Sequence, residues 1–363
     1  MITEAEVRNA LKQVQDPELG RSIVDLGMVR DLKVADDQVV FTLALTNLSC
    51  PFKDRIVSNA KQVVKALQGI KAVDIYLDEM TEEEKDSLLE DNNAPKSTAE
   101  KLNNIKHVIA IMSGKGGVGK SLVTGLLATG LRRLGNRVGI LDADITGPSI
   151  PKMFFTDGAR PGFSPIAMLP AKTKTGIAAM SINLILDSED QAVIWRGPLI
   201  SNAIRQFWSD VLWGDLDFLL VDLPPGTSDA SLTVLQSLPM SGVILVTSPQ
   251  SLAGMVVRKA AHMVRDIGIP ILGLLENMNY FVCPDTGKHY DIFGPSKPES
   301  MASQLEMPFL GCLPIDPNIA ALCDRGEIES YSGDLFGPIA KKILELAPVA
   351  VPPKTKKHEP QGA

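Results

Sequence analysis

Cysteine is scarce in this chain: Cys50, Cys283, Cys312 and Cys323 are the four in 363 residues. They are too few and too scattered for a disulfide framework, and no C-x-x-C pair is present. Aromatic residues reach only 5%, which argues against a nucleic-acid binder that works by stacking bases. Basic charge is not in excess either. The 36 Lys and Arg against 43 Asp and Glu leave a net charge of −7, a balance that disfavours nonspecific binding to DNA or acidic membranes. No apolar run approaches the roughly 18 residues needed to span a bilayer. The N-terminus does not read as a signal peptide, because Thr3 and Glu6 form a capping box and acids precede the apolar face. The expectation is a cytoplasmic protein that engages neither nucleic acid nor membrane.

What is present divides into four stretches. Residues 1–80 read as a small α+β domain. In it Val7, Leu11 and Val14 share a helical face closed by Pro17, and Met28–Val34 and Val39–Leu45 flank an Ala35-Asp36-Asp37 turn. A helix from about Pro51 follows, with Ile56, Ala60, Val63 and Leu67 inward, and then a strand over Ala72–Leu77. Residues 81–104 are acidic and polar and read as a linker. Residues 105–347 alternate short apolar runs with longer helical stretches. Val108–Met112, Val138–Leu141, Phe218–Val221, Val243–Val246 and Ile271–Leu275 suit strands buried on both faces of a mostly parallel, doubly wound α/β sheet. Residues 348–363, with Pro352-Pro353 and several lysines, read as a disordered tail.

The sharpest motif is Gly114-Lys115-Gly116-Gly117-Val118-Gly119-Lys120-Ser121, a full match to G-x-x-x-x-G-K-S/T between an apolar strand and a helix. Glycines let backbone N–H groups curl around phosphates, and the helix N-terminus adds positive potential. Lys120 is expected at the β- and γ-phosphates of ATP and Ser121 on Mg²⁺. Asp222 ends a run of four apolar residues and is the expected metal-linked carboxylate. Pro224-Pro225-Gly226 after it suits a loop that senses the γ-phosphate. Asp142 ends the neighbouring strand and Asp144 starts the loop to Pro148, and either can orient water or approach Mg²⁺; Asp144 is the preferred water-orienting acid and Asp142 the supporting one. On this reading Lys120→Ala abolishes hydrolysis with little loss of fold.

Lys115 is not required by an ordinary phosphate loop. Its presence resembles the deviant form found in the MinD/ParA group of ATPases. Asp142-Ala143-Asp144-Ile145-Thr146-Gly147-Pro148-Ser149-Ile150-Pro151, Arg196-Gly197-Pro198, Asp222 to Thr227 and Glu276-Asn277-Met278 narrow the likeness to the Mrp/ApbC family of iron–sulfur cluster carriers. Asp16-Pro17-Glu18-Leu19, Ile23 to Gly27 and Thr46 to Pro51 resemble the small iron–sulfur assembly domain often fused to that family. The resemblance implies an ATP-hydrolysing homodimer that delivers clusters to apo client proteins. In such a dimer Lys115 acts across the interface, and Asn277 and the Pro314-Ile315-Asp316 loop lie near adenine. A MinD-like positioning ATPase is the more distant alternative.

Such carriers hold a 4Fe–4S cluster through C-x-x-C, one pair per subunit. Here Cys283 matches the first cysteine and Thr286 stands at the second, and a hydroxyl is a poor ligand for soft iron. Three expectations stay open. Cys283 from each chain binds with other ligands, such as His289 or a small thiol. Alternatively Cys50, before a helix start that lowers its pKa, supplies sulfur. Or the chain is an ATPase adaptor without a cluster. Cys312 and Cys323 are expected to be structural.

Overall fold

A computed structural model describes residues 2–16, 21–35, 37–45, 53–67, 69–81, 84, 98–156, 158–164, 167–186, 197–227 and 229–347. The chain forms two compact units, Met1–Pro95 and Lys96–Ala363.

In the first unit helix α1 (Glu4–Leu11) opens on a complete capping box. The Thr3 hydroxyl accepts from the Glu6 N–H, and the Glu6 carboxylate accepts from the Thr3 N–H at 2.8 Å. The helix stops at Leu11, well before Pro17. A turn then carries Val14 into the core, where Gln15 makes an isolated bridge to Ser22. Strands β1 (Val29–Ala35) and β2 (Gln38–Leu45) pair antiparallel, and β3 (Ala72–Glu79) joins β2 in parallel. The parallel pairing requires a crossover, supplied by helix α2 (Lys53–Lys65). Val7 and Leu11 of α1 meet Ile56, Ala60 and Val64 of α2 over Phe41 and Leu43. Val63 and Leu67 are only partly buried beside them.

The second unit is built on a nine-stranded sheet among the described residues. Its strands are β4 (Asn104–Ser113), β5 (Val138–Asp142), β6 (Ala171–Lys172), β7 (Ala178–Met180), β8 (Asp215–Asp222), β9 (Gly242–Thr247), β10 (Ile271–Val282), β11 (His289–Tyr290) and β12 (Phe309–Ile315). They lie in the order β11-β10-β9-β4-β8-β5-β7-β6, with β12 also on β10. All pairings are parallel except β10 with β11 and β6 with β7.

Both faces of the sheet are covered. Val108, Ala110 and Met112 of β4 pack on one side with helices α3 (Gly197–Ser209), α4 (Asp229–Ser237) and α5 (Ser251–Ile267). Ile109 and Ile111 pack on the other with α6 (Lys120–Arg133) and α7 (Gly337–Leu346), so continuous apolar runs here mean two buried faces. Helices α6 and α7 thus cover one face and α3 to α5 the other. Strand β4 sits centrally, so its C-terminal end opens where ligands bind in doubly wound sheets.

Candidate nucleotide site and thiol hairpin

Parallel register brings the separate motifs to one level. Asp222 of β8 lies opposite Asp142 of β5 on one side and Ile111 of β4 on the other. The loop from Gly114 to Gly119 leaves β4 there and enters helix α6 at Lys120. Gly117 and Gly119 take φ of 80° and 78°, left-handed backbone that favours glycine. Gly114 is needed for a different reason. A Cβ there would stand 2.7 Å from the Val256 backbone carbon.

The Lys120 ammonium lies 2.8 Å from an Asp222 carboxylate oxygen, with the two side chains 6% and 0% exposed. Asp222 also accepts from the Ser121 hydroxyl at 2.5 Å and from the Thr124 hydroxyl at 2.7 Å. Lys120 is therefore a buried ion-pair partner and not a solvent-lined loop residue, which removes the ground for expecting that its loss spares the fold. A hydroxyl and a carboxylate this close are the hard oxygen donors that Mg²⁺ takes alongside phosphate and water, so the residues fit the ion. Bound there, Mg²⁺ would supply charge neutralisation for the phosphates.

The turn after Asp222 is tied to the phosphate loop. Gly226 N–H donates to the Ser113 carbonyl at 3.0 Å, and the Ser231 hydroxyl donates to the carbonyls of Pro224 and Gly226. Asp142 is fully buried and accepts from the Ser181 hydroxyl at 3.1 Å and the Ile150 N–H at 3.3 Å. Burial, and after it the Asp222 charge, holds its carboxyl well above the usual carboxylate range. Asp144 accepts from the Thr146 hydroxyl and the Gly147 N–H, each at 3.0 Å, so the loop that carries it is braced by its own side chain.

Lys115 does not join Lys120. Its ammonium donates to the Gln250 amide oxygen at the N-cap of α5. Asn277 is buried and donates to the Val118 carbonyl at 3.0 Å, which sets it against the phosphate loop itself. Asp316 caps the helix that follows it, accepting from Asn318 N–H at 2.8 Å, and takes a second bond from the Tyr331 hydroxyl.

Cys283 sits in the turn between β10 and β11. The turn is closed by Gly287 N–H to the Cys283 carbonyl at 2.8 Å and Cys283 N–H to the Lys288 carbonyl at 2.9 Å. Its thiol pKa is lowered first by the Thr286 hydroxyl and then by the backbone N–H groups of Thr286 and Asp285. Thr286 thus serves the sulfur as a donor. His289 stacks on Tyr280 with centroids 4.8 Å apart and planes 3° off parallel. Among the described residues no group of three or more His, Cys, Asp or Glu could hold a metal. Cys50, Arg196 and the tail lie outside the described residues.

The comparisons decide the ancestry. Residues 104–347 match the model of the NUBPL iron-transfer P-loop NTPases, and residues 4–76 match that of an iron-sulfur cluster assembly protein. The chain belongs to the NUBPL iron-transfer P-loop NTPase family. It is 40% identical over 353 residues to the iron-sulfur cluster carrier protein of Synechocystis sp., covering 94% of this chain and 97% of that one. The carrier protein of Methanocaldococcus jannaschii is 46% identical over 251 residues, 68% of this chain and 87% of its own. Among solved structures, the nucleotide-binding protein of Archaeoglobus fulgidus in complex with ADP is 43% identical with a TM-score of 0.58, covering 64% of this chain and 91% of that one. The Pyrococcus furiosus cell division ATPase MinD, 22% identical at a TM-score of 0.50 over 67% of this chain and all of its own, shares the fold. This NUBPL-family chain has no helix among its described residues long and apolar enough to cross a membrane.

Three partners in this NUBPL-family site were invisible to sequence reasoning: Thr124, Ser181 and Gln250. Thr124 follows Lys120 by one helical turn, the one signal that could have found it. The thiols also differ in a measurable way. Burial pushes Cys312 up to about 12 and Cys323 up to about 11, while Cys283 is lowered. The thiolate is the nucleophile and forms above the pKa, so iodoacetamide at neutral pH should label Cys283 ahead of Cys312 and Cys323. The two slow sites should catch up only as pH rises toward 11. Thr286→Val should slow Cys283 alone. Peptide mass mapping against time reads all three, and equal rates at pH 7 would contradict the assignment.

Proposed function

We propose that this protein is an ATP-hydrolysing iron–sulfur cluster carrier that acts as a homodimer in the cytoplasm and passes clusters to apo client proteins. The observation that carries the ATPase half is the convergence of Lys120, Ser121 and Asp222 at the mouth of the phosphate loop. ATP binds with its phosphates in the loop from Gly114 to Gly119, Lys120 on the transferring phosphate, and Ser121 and Asp222 on Mg²⁺. Asp144 orients the attacking water. Asn277, set against Val118, shapes the nucleotide side of the same loop. The cluster is cargo, and Cys283 is the thiolate each chain offers it. The names of the relatives support this reading.

Lys115 acts in trans. In one chain it is held by Gln250 and adds no charge to its own Asp222 site. Lys115→Ala should slow ATP turnover at least about tenfold, an interaction made only in the transition state, and remove the dependence of specific activity on protein concentration. Turnover that is unchanged in the variant would argue against the trans-acting lysine.

The cargo half is tested by anaerobic reconstitution with iron and sulfide, followed by iron and sulfide counts and a visible spectrum. Wild type should hold about four irons per dimer, and Cys283→Ala should lose them. A cluster that survives in the variant would move the ligand role to Cys50. No stoichiometric cluster in wild type would favour the second reading, an ATPase adaptor without its own cluster, for which Thr286 in place of a cysteine is the specific observation.

A further inference from the structure

Strand β10 passes the phosphate loop at its middle and ends at the Cys283 turn. Between these two points its pairing with β12 breaks. Glu276 pairs with Cys312 and Tyr280 with Pro314, so four steps on β10 match two on β12. Inside that bulge Met278 takes φ of 58°, a left-handed backbone uncommon for a non-glycine residue. Bulges bend a strand and re-aim its side chains.

The bulge grips both neighbours. On the loop side, Asn277 donates to the Val118 carbonyl at 3.0 Å. A Cβ on Gly119 would lie 2.2 Å from the Asn277 amide nitrogen and 3.5 Å from the Met278 methyl carbon. On the hairpin side, one Glu276 oxygen accepts from Asn279 at 2.5 Å and from the Ser296 hydroxyl. Ser296 lies on the segment that follows β11, so Glu276 ties that segment back to β10. The other Glu276 oxygen is buried without a partner. A buried carboxylate left half-satisfied is costly, so this network is held at less than its full bonding capacity.

We propose that the bulge Glu276–Asn279 couples the phosphate loop to the Cys283 hairpin, with Asn277 and Glu276 as the positioning residues, so that nucleotide in the loop alters the access and environment of the thiol. This rests on the reading that the loop binds ATP. Phosphates draw the loop's N–H groups toward themselves, which moves the Val118 carbonyl that Asn277 holds. The strain passes from Asn277 to Glu276, directly along the chain and through Met278 and the Asn279 side chain, and from Glu276 through Ser296 to the turn.

The experiment measures the iodoacetamide labelling rate of Cys283 by peptide mass mapping, with and without Mg²⁺ and the β,γ-imido analogue of ATP. Nucleotide binding is followed separately by calorimetry. In wild type the analogue should change the rate by about fivefold or more, the lower end of ordinary coupling between sites, independently of protein concentration. Glu276→Ala and Ser296→Ala should bring the ratio close to one while the analogue still binds. Glu276→Gln keeps the accepting oxygen and should keep the ratio. Ser296 is part-exposed, so its variant tests the coupling even where Glu276→Ala folds poorly. A wild-type ratio near one with analogue bound overturns the coupling and leaves the ATPase reading standing. Ratios that persist in both alanine variants also overturn it, as does a ratio that appears only at concentrations where dimers form. Failure of the analogue to bind wild type would instead overturn the nucleotide reading beneath it.

Discussion

Lys120→Ala should lose ATP turnover by at least about a hundredfold, the scale of removing one preorganised charge from a transition state, and should also weaken the fold of the ATPase unit. The second effect follows from burial. Asp222 is wholly buried and Lys120 is its one cationic partner among the described residues. Removing one member of a buried pair strands the other and costs about 3 kcal/mol or more. The Ser121 and Thr124 hydroxyls remain as donors, which holds the loss to that lower end. The two effects separate in Lys120→Ala combined with Asp222→Asn. The neutral amide no longer needs a counter-charge, so the double variant should recover most of the stability in urea unfolding while staying inactive. Wild-type turnover in the single variant would remove Lys120 from the phosphate site. Equal stability of single and double variants would mean that the pair does not matter to the fold.

Gly119→Ala should reduce affinity for the β,γ-imido analogue of ATP at least about a hundredfold, equivalent to about 2.7 kcal/mol. Two independent causes act at this position. The left-handed φ of 78° costs about 1–2 kcal/mol for a residue with a Cβ. The new methyl would also stand 2.2 Å from the Asn277 amide nitrogen, a distance that forces either the loop or β10 to shift. Trimming Asn277 to alanine in the same chain clears the clash but not the backbone strain, so it should return part of the affinity and no more. Calorimetric titration of the three proteins checks this. Full recovery would assign the whole effect to Asn277, and no recovery would assign it to the backbone.

The phosphate loop was legible because it is written in eight consecutive residues whose chemistry depends on local backbone shape. Asp222 and Asp142 were legible because each closes an apolar run, and strand ends in a parallel sheet converge. Thr124 and Ser181 were not, since a hydroxyl in a second helical turn or a short loop looks like any other until strand register shows which carboxylate it faces. Strands β6, β7 and β11 are two or three residues long, too short for any periodicity. Strand β10 runs to Val282 and not to Leu275, because Glu276-Asn277 interrupts its apolar pattern where the bulge turns those polar groups inward. The buried state of Lys120 was misjudged for a related reason: a loop lysine reads as solvated until the carboxylate facing it is known.

The knuckle around Cys283 carries one more meaning. The Thr286 hydroxyl and the backbone N–H groups of Thr286 and Asp285 lower its thiol pKa, so its thiolate is less basic than that of an ordinary cysteine. A less basic thiolate is a better leaving group. On the proposed carrier reading such a sulfur would let go of soft metal faster than a more basic cysteine, and Thr286 would ease departure where a second cysteine would resist it. On that reading the turn is built for a short stay, which is a property of release rate and not of affinity alone.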